Sequence, residues 1–164
     1  MQEPVGTSST RPSPAVVIPP PLVFVAAFAL GLFGERWLGF ARTSSSGLSP
    51  LRILGVVLMV LGIGLALSAV ALFARARTTI IPHGRAAALV TSGPYRFTRN
   101  PMYVALTAEY LGIAAVVGVL GPIVTLPLAL LVIGIAVIPH EERGLTGVFG
   151  AEYTAYCARV RRWL

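Results

Sequence analysis

Asp, Glu, Lys and Arg are absent from three long stretches of the chain, Pro12–Gly34, Ile53–Ala74 and Tyr110–His140. The last is preceded by the apolar run Pro101–Ala108 and parted from it only by Glu109. Each stretch can form a helix of about 20 residues, enough to cross a hydrocarbon core of about 30 Å. No segment alternates apolar and polar residues as a half-buried strand would, and no internal repeat is evident. The segment from Pro101 to Pro139 is too long for one crossing, because a straight helix of that length would reach roughly 58 Å. Gly121-Pro122 lies near its middle, where a helix loses a hydrogen bond. A hairpin with its turn at Val119–Pro122 is therefore expected. The pattern predicts four transmembrane helices, at about 15–40, 51–76, 101–119 and 122–139, with cytosolic helices over 140–163.

Composition turns that pattern into a class. The chain is 55% hydrophobic and only 12% charged, whereas a soluble domain carries about a quarter charged residues. The fold class is all-α integral membrane, with the third and fourth helices a hairpin and interfacial helices at the C-terminus. Residues 1–14, rich in Ser, Thr, Pro and Gly, are expected to be a disordered tail, and 15–164 a single domain. The first apolar stretch has only Arg11 as a basic flank and no small-residue cleavage site after it, so it reads as a retained helix. The single Cys157 rules out an internal disulfide and suits a reducing compartment.

Charge then gives an orientation. All 13 basic residues are Arg. Four crossings from residue 1 put Arg11, the arginines between Arg75 and Arg99, Arg143 and those of the tail on one side. Arg36, Arg42 and Arg52 fall on the other. That asymmetry predicts a multi-pass protein of the cell membrane with both termini in the cytoplasm. The net charge of +7 belongs to a membrane face drawn to anionic headgroups, so membrane lipids are expected partners and nucleic acid is not.

Polar and aromatic residues gather in two cytosolic segments, 75–103 and 139–162. Pro139 followed by Glu141-Glu142 reads as a helix start, with acids where the macrodipole favours them. Beyond Gly150, a basic helix carries Tyr153, Tyr156, Cys157 and Val160 on one face and should lie along the membrane surface. Within helix two, the pairs Gly62/Ala66 and Gly64/Ser68 have the spacing that lets helices pack closely. Glu109 stands eight residues past Pro101, roughly 12 Å along helix three. An ionisable group at that depth is a candidate to line an acceptor cavity or to pair with Arg75 or Arg77. With His83 and His140 the only histidines, a metal site lacks ligands and none is expected.

The run LVTSGPYRFTRNPMY over 89–103, the pair Glu141-Glu142 and the tail FGAEYTAYCARVRRW over 149–163 are where the chain becomes recognisable. Together they resemble the C-terminal half of the isoprenylcysteine carboxyl methyltransferase and phospholipid methyltransferase superfamily, in its short bacterial form. The resemblance covers about Arg75 to Trp163. It implies methyl transfer from S-adenosylmethionine to a lipophilic acceptor at the cytosolic membrane face. Carried onto this chain, the cofactor residues are Leu89, Val90, Tyr95, Asn100, Pro101, Met102, Tyr103 and Glu141. Arg99 and Glu142 are the catalytic candidates, and Glu109 and Arg75 the acceptor candidates. No obligatory protein partner is implied. The chain departs from many relatives at Asn100, where they carry His, at Ala87, where His often stands, and at Val137, where eukaryotic enzymes carry a substrate-contacting Arg.

The residue types suit that cofactor. Its ammonium and ribose hydroxyls can bind a carboxylate, its own carboxylate wants Arg or backbone N–H groups, and its adenine wants an apolar slot. Two other readings compete. Membrane sterol reductases, which use NADPH, share a tail like Tyr156-Cys157-Ala158-Arg159-Val160 but are larger. A non-catalytic membrane scaffold would keep the fold and bind no cofactor.

Overall fold

The computed structural model describes residues 19–39, 49–76 and 88–164, and among them it is helical with no strand. Expectations about the tail 1–14, the loop 41–48, Arg77, His83, Arg85 and Ala87 lie outside the described residues. Helix α1 is Pro20–Leu38, α2 is Pro50–Arg75 and α3 is Pro101–Val117. All three begin on proline, which suits a first turn because the N–H it lacks would have had no partner there. Ser49 adds a side-chain cap to α2, its hydroxyl accepting the Arg52 N–H at 3.3 Å.

The hairpin forms, but its turn is shifted. Helix α3 ends where Gly118 takes the left-handed conformation (φ 75°), and the next helix begins at Gly121. Gly121-Pro122 thus opens a helix rather than breaking one, since proline at a second position costs no hydrogen bond.

The second arm of the hairpin departs further from expectation. Helix α4 (Gly121–Val132), a π-helical turn (Ile133–Val137) and α5 (Ile138–Phe149) form one continuous run of 29 residues. Pro139 therefore does not start a new helix after a crossing over 122–139. Having no N–H, Pro139 cannot bond the carbonyl four residues back, and the chain widens just before it. The Ile138 N–H reaches the Ile133 carbonyl, five residues back. Glu141 and Glu142 consequently ride on an uninterrupted helix, and helix-start electrostatics do not account for them. Helix α6 (Ala151–Arg159) follows a sharp turn at Gly150 (φ 51°).

Three helices, α1, α2 and the Gly121–Phe149 run, are long and apolar enough to cross a membrane. Helix α3, with 17 residues, spans about 26 Å. The helices pair off: α2 packs chiefly on α3, and α1 chiefly on α4, with α3 joining the two pairs. Lipid tails are as apolar as Leu, so close backbone approach and polar contacts must supply the attraction between helices. At α1–α4, a Cβ on Gly31 would lie 2.5 Å from the backbone of Pro122. One turn on, buried Glu35 accepts the N–H groups of Leu120 and Gly121, each at 2.9 Å. These are orphan donors at the start of α4, capped by a side chain from α1.

At α2–α3 the buried small residues are Gly55, Gly62 and Ala69, spaced by seven. Gly55 meets Gly112, and Gly62 meets Ala105 and Glu109. Of the expected pairs, only Gly62 lies buried in the seam; a Cβ on Gly64 would meet nothing within 4 Å, and Ser68 is exposed. Tyr110 closes the middle of the bundle. Its hydroxyl reaches the Pro122 carbonyl and the Thr125 hydroxyl, each at 2.9 Å, and its ring takes Phe24 and Phe28 edge-on.

This packing separates glycines that matter from one that does not. Gly31→Ala and Gly55→Ala should lower the unfolding temperature in detergent sharply, whereas Gly64→Ala should leave it unchanged. Glu35→Ala strands the buried Gly121 N–H and leaves the more exposed Leu120 N–H to solvent, and should cost roughly 1–3 kcal/mol. Equal thermal shifts for Gly31→Ala and Gly64→Ala would contradict the helix pairing.

Candidate functional site

The end of the bundle opposite Glu35 is where the polar side chains converge. Just before it, Leu89 and Val90 are half-buried, and Gly93–Arg96 form one turn of 3₁₀ helix. Gly93 enters that turn at φ 58°, a conformation L side chains rarely adopt. The turn packs on the last turns of α2, where the Tyr95 ring meets Phe73 edge-on at 5.6 Å between centroids. From the other side, the Tyr156 hydroxyl of α6 donates to the Tyr95 carbonyl at 2.8 Å. Burial, with Tyr156 and Glu141 nearby, pushes the Tyr95 phenol up. Burial also raises Tyr156, to about 12, although Arg99 opposes the shift. Both phenols stay neutral donors at physiological pH.

Residues 98–100 are then clamped by the C-terminal tail. The Arg99 N–H donates to the Arg161 carbonyl at 2.9 Å. The Arg162 carbonyl accepts from the Thr98 hydroxyl at 3.2 Å and from the Asn100 side-chain amide at 2.9 Å. Thr98 Oγ1 in turn accepts the Asn100 N–H at 3.1 Å, immediately before α3 begins. One N–H of the Asn100 amide therefore holds the tail. Pro101 and Tyr103 are buried in the first turn of α3, with Met102 half-buried between them.

The two acids of α5 diverge. The Tyr103 hydroxyl donates to Glu141 Oε1 at 2.7 Å, and Glu141 Oε2 has no protein partner among the described residues. Glu142 faces the arginines. Its Oε1 lies 3.1 Å from Arg99 Nη1, and Arg162 donates to both oxygens, at 3.1 and 2.6 Å. Arg99 Nη1 also donates to Cys157 Sγ at 2.7 Å, while Arg99 Nε is buried with no hydrogen bond. Burial works against the Arg99 charge, but Cys157 and Glu142 outweigh it, so the guanidinium stays cationic.

Of the residues proposed from sequence, Tyr95, Arg99, Asn100, Tyr103, Glu141 and Glu142 thus gather within one cluster, with Pro101 and Met102 in the same first turn of α3. Leu89 and Val90 precede the 3₁₀ turn with no hydrogen bond joining them to it among the described residues, and the acceptor candidates lie apart. Glu109 lies in the α2–α3 seam with Oε1 buried against Gly62 and without a hydrogen bond. Arg75 is exposed at the end of α2. Thirteen residues separate it from Gly62, about 20 Å of helix, so Glu109 and Arg75 do not pair. The aromatic face of α6 is also corrected. Tyr153 and Tyr156 are buried rather than laid on a membrane surface. Sequence reasoning assigns no role to Thr98 or Glu35. The only signal for Glu35 is a lone acid in an otherwise apolar helix. Among the described residues, no group of three or more His, Cys, Asp or Glu side chains could hold a metal ion.

The cluster therefore offers a carboxylate with an uncommitted oxygen, a cationic arginine and neutral phenols beside an apolar helix bundle. A sequence profile described as phospholipid methyltransferase matches residues 51–152, from the start of α2 into α6. No curated protein and no solved structure matches the chain. With the profile covering well over half its length, this membrane protein belongs to the phospholipid methyltransferase family, whose activity is methyl transfer to lipid-type acceptors.

Proposed function

We propose that the chain is an S-adenosylmethionine-dependent methyltransferase whose cofactor sits in the Tyr95–Tyr103–Glu141 cluster and whose lipophilic acceptor arrives from the bilayer. In this reading α1, α2, α3 and the Gly121–Phe149 run cross the cell membrane, with both termini in the cytoplasm and the cluster at the cytosolic face. The arginine asymmetry supports that orientation. The observation that carries the reading is the Tyr103–Glu141 hydrogen bond. It fixes one carboxylate oxygen and leaves the other for an ammonium or a ribose hydroxyl.

Once bound, S-adenosylmethionine supplies a methyl group on a carbon already activated by sulfonium. The protein's work is then to position, to exclude water and to match charge. Tyr103 sets the rotamer of Glu141. Leu89, Val90 and Met102, each half-buried, would furnish apolar surface for the cofactor. Glu142, with both oxygens committed to arginines, acts as a positioning residue that fixes Arg99. The guanidinium of Arg99, with its Nε unused by the protein, orients the acceptor or the cofactor carboxylate. Glu109 is packed into the α2–α3 seam against Gly62, apart from the cluster, so an acceptor contact at Glu109 is not part of this reading. An isoprenylcysteine-type acceptor falls within this class.

Calorimetry of the purified protein with S-adenosylhomocysteine tests the reading. Binding is expected, with NADPH giving none; no binding of S-adenosylhomocysteine would overturn it. Glu141→Ala should weaken that binding by roughly 10- to 100-fold, the worth of a hydrogen bond to a charged group. Full affinity in that variant would move the pocket elsewhere. Glu142→Ala leaves Arg99 and Arg162 unpaired at a partly exposed site and should cost about 1–2 kcal/mol of stability. It should also loosen the tail, read as faster amide exchange at Arg99.

A further inference from the structure

The clamp between residues 98–100 and the C-terminal tail leaves a second feature that cofactor binding does not use. Phe97 lies one residue from the clamp on one side and Leu164 two residues from it on the other, and they are 74% and 77% exposed. Arg96, next to Phe97, and Arg161, three residues before Leu164, are exposed too, as is Arg159 at the end of α6. None of the three holds an ion pair among the described residues, where Glu142 serves Arg99 and Arg162 instead. Large apolar side chains rimmed by unpaired cations outside the crossing helices are what an anionic lipid surface recognises. The rings and alkyl chains enter the boundary between headgroup and acyl chain, while guanidinium groups hold phosphate oxygens. The aromatic face of α6, buried on Tyr95, leaves this role to the rim.

The geometry points to a lipid-docking plate, formed by Arg96-Phe97 and the tail Arg159–Leu164, that selects anionic phospholipid headgroups at the site's end of the membrane. Because the clamp between 98–100 and 161–162 joins the plate to the Arg99–Glu142 pair, lipid held there sits beside the cluster. Anionic lipids would accumulate around this end of the protein irrespective of which acceptor is methylated, so the inference stands apart from the cofactor assignment.

The chain has two tryptophans, Trp37 in α1 and Trp163 in the plate, which makes the test direct. Trp37→Phe protein is reconstituted into phosphatidylcholine vesicles containing a minor fraction of brominated phosphatidylglycerol or, separately, the same fraction of brominated phosphatidylcholine. Brominated phosphatidylglycerol should quench Trp163 more strongly. Each arginine near an anionic surface changes local affinity by about fivefold, so Arg96→Gln with Arg161→Gln should remove most of that preference. Arg36→Gln, at the far end, should not. Equal quenching by the two lipids overturns the proposal, as does a preference that survives the double substitution. An unshifted Trp163 emission maximum in plain phosphatidylcholine checks that the variants keep the plate folded.

Discussion

One carboxylate, Glu142, meets two arginines that lie far from it in sequence: Arg99 just before α3 and Arg162 in the C-terminal tail. Surface ion pairs of this kind are worth little singly, but this one is bidentate on Arg162 and surrounded by backbone contacts. The Arg161 and Arg162 carbonyls accept from Arg99, Thr98 and Asn100 within the same few residues. Helices in a bilayer satisfy their own backbones and need little from one another, so a site at their ends must be assembled by such polar contacts. Here they bring together the 89–103 loop, α5 and the tail. Without that assembly, Tyr103 and Glu141 would have no fixed surroundings in which to hold a ligand.

The rest of the bundle serves this end by staying rigid. At the far end, Glu35 of α1 caps the start of α4, and Gly31 lets the two helices touch backbone to backbone. Along α2, Gly55, Gly62 and Ala69 set the distance to α3. The π turn before Pro139 then changes the phase of the long helix by one residue, about 100°. It thereby decides that Glu141 turns to Tyr103 while Glu142 turns to the arginines. A register one residue different would carry one acid into the other's place and turn the second acid away from its present partner.

Much of this is legible in the sequence for a physical reason: spans and hairpins are written in long-range hydropathy, which tertiary contacts hardly alter. The described helices fall within a few residues of their expected bounds, Pro139 aside, and most proposed site residues lie in one cluster. The errors arise where local rules meet alternatives that only packing decides. A single helix-breaking rule treats Gly121-Pro122 and Pro139 alike. Proline, however, tolerates a first turn at the former, and a π turn absorbs it at the latter. Gly64 and Ser68 have the right spacing but the wrong face. The α6 aromatics resemble a membrane surface because hydropathy cannot tell lipid from protein as an apolar neighbour. The tail contact of the Asn100 amide nitrogen is likewise invisible in spacing. Glu35 and Thr98 act through partners far away in sequence or through backbone geometry, which leave no trace in spacing.

Taken together, these contacts make the tail the piece that completes the proposed ligand site from outside the helix bundle. A chain ending at Val160, which lacks Arg161, Arg162 and the residues after them, puts that dependence to the proof by S-adenosylhomocysteine calorimetry alongside circular dichroism. Helix content and the crossing helices should persist while affinity for S-adenosylhomocysteine is lost. Undiminished affinity in the shortened chain would contradict a site built on the tail.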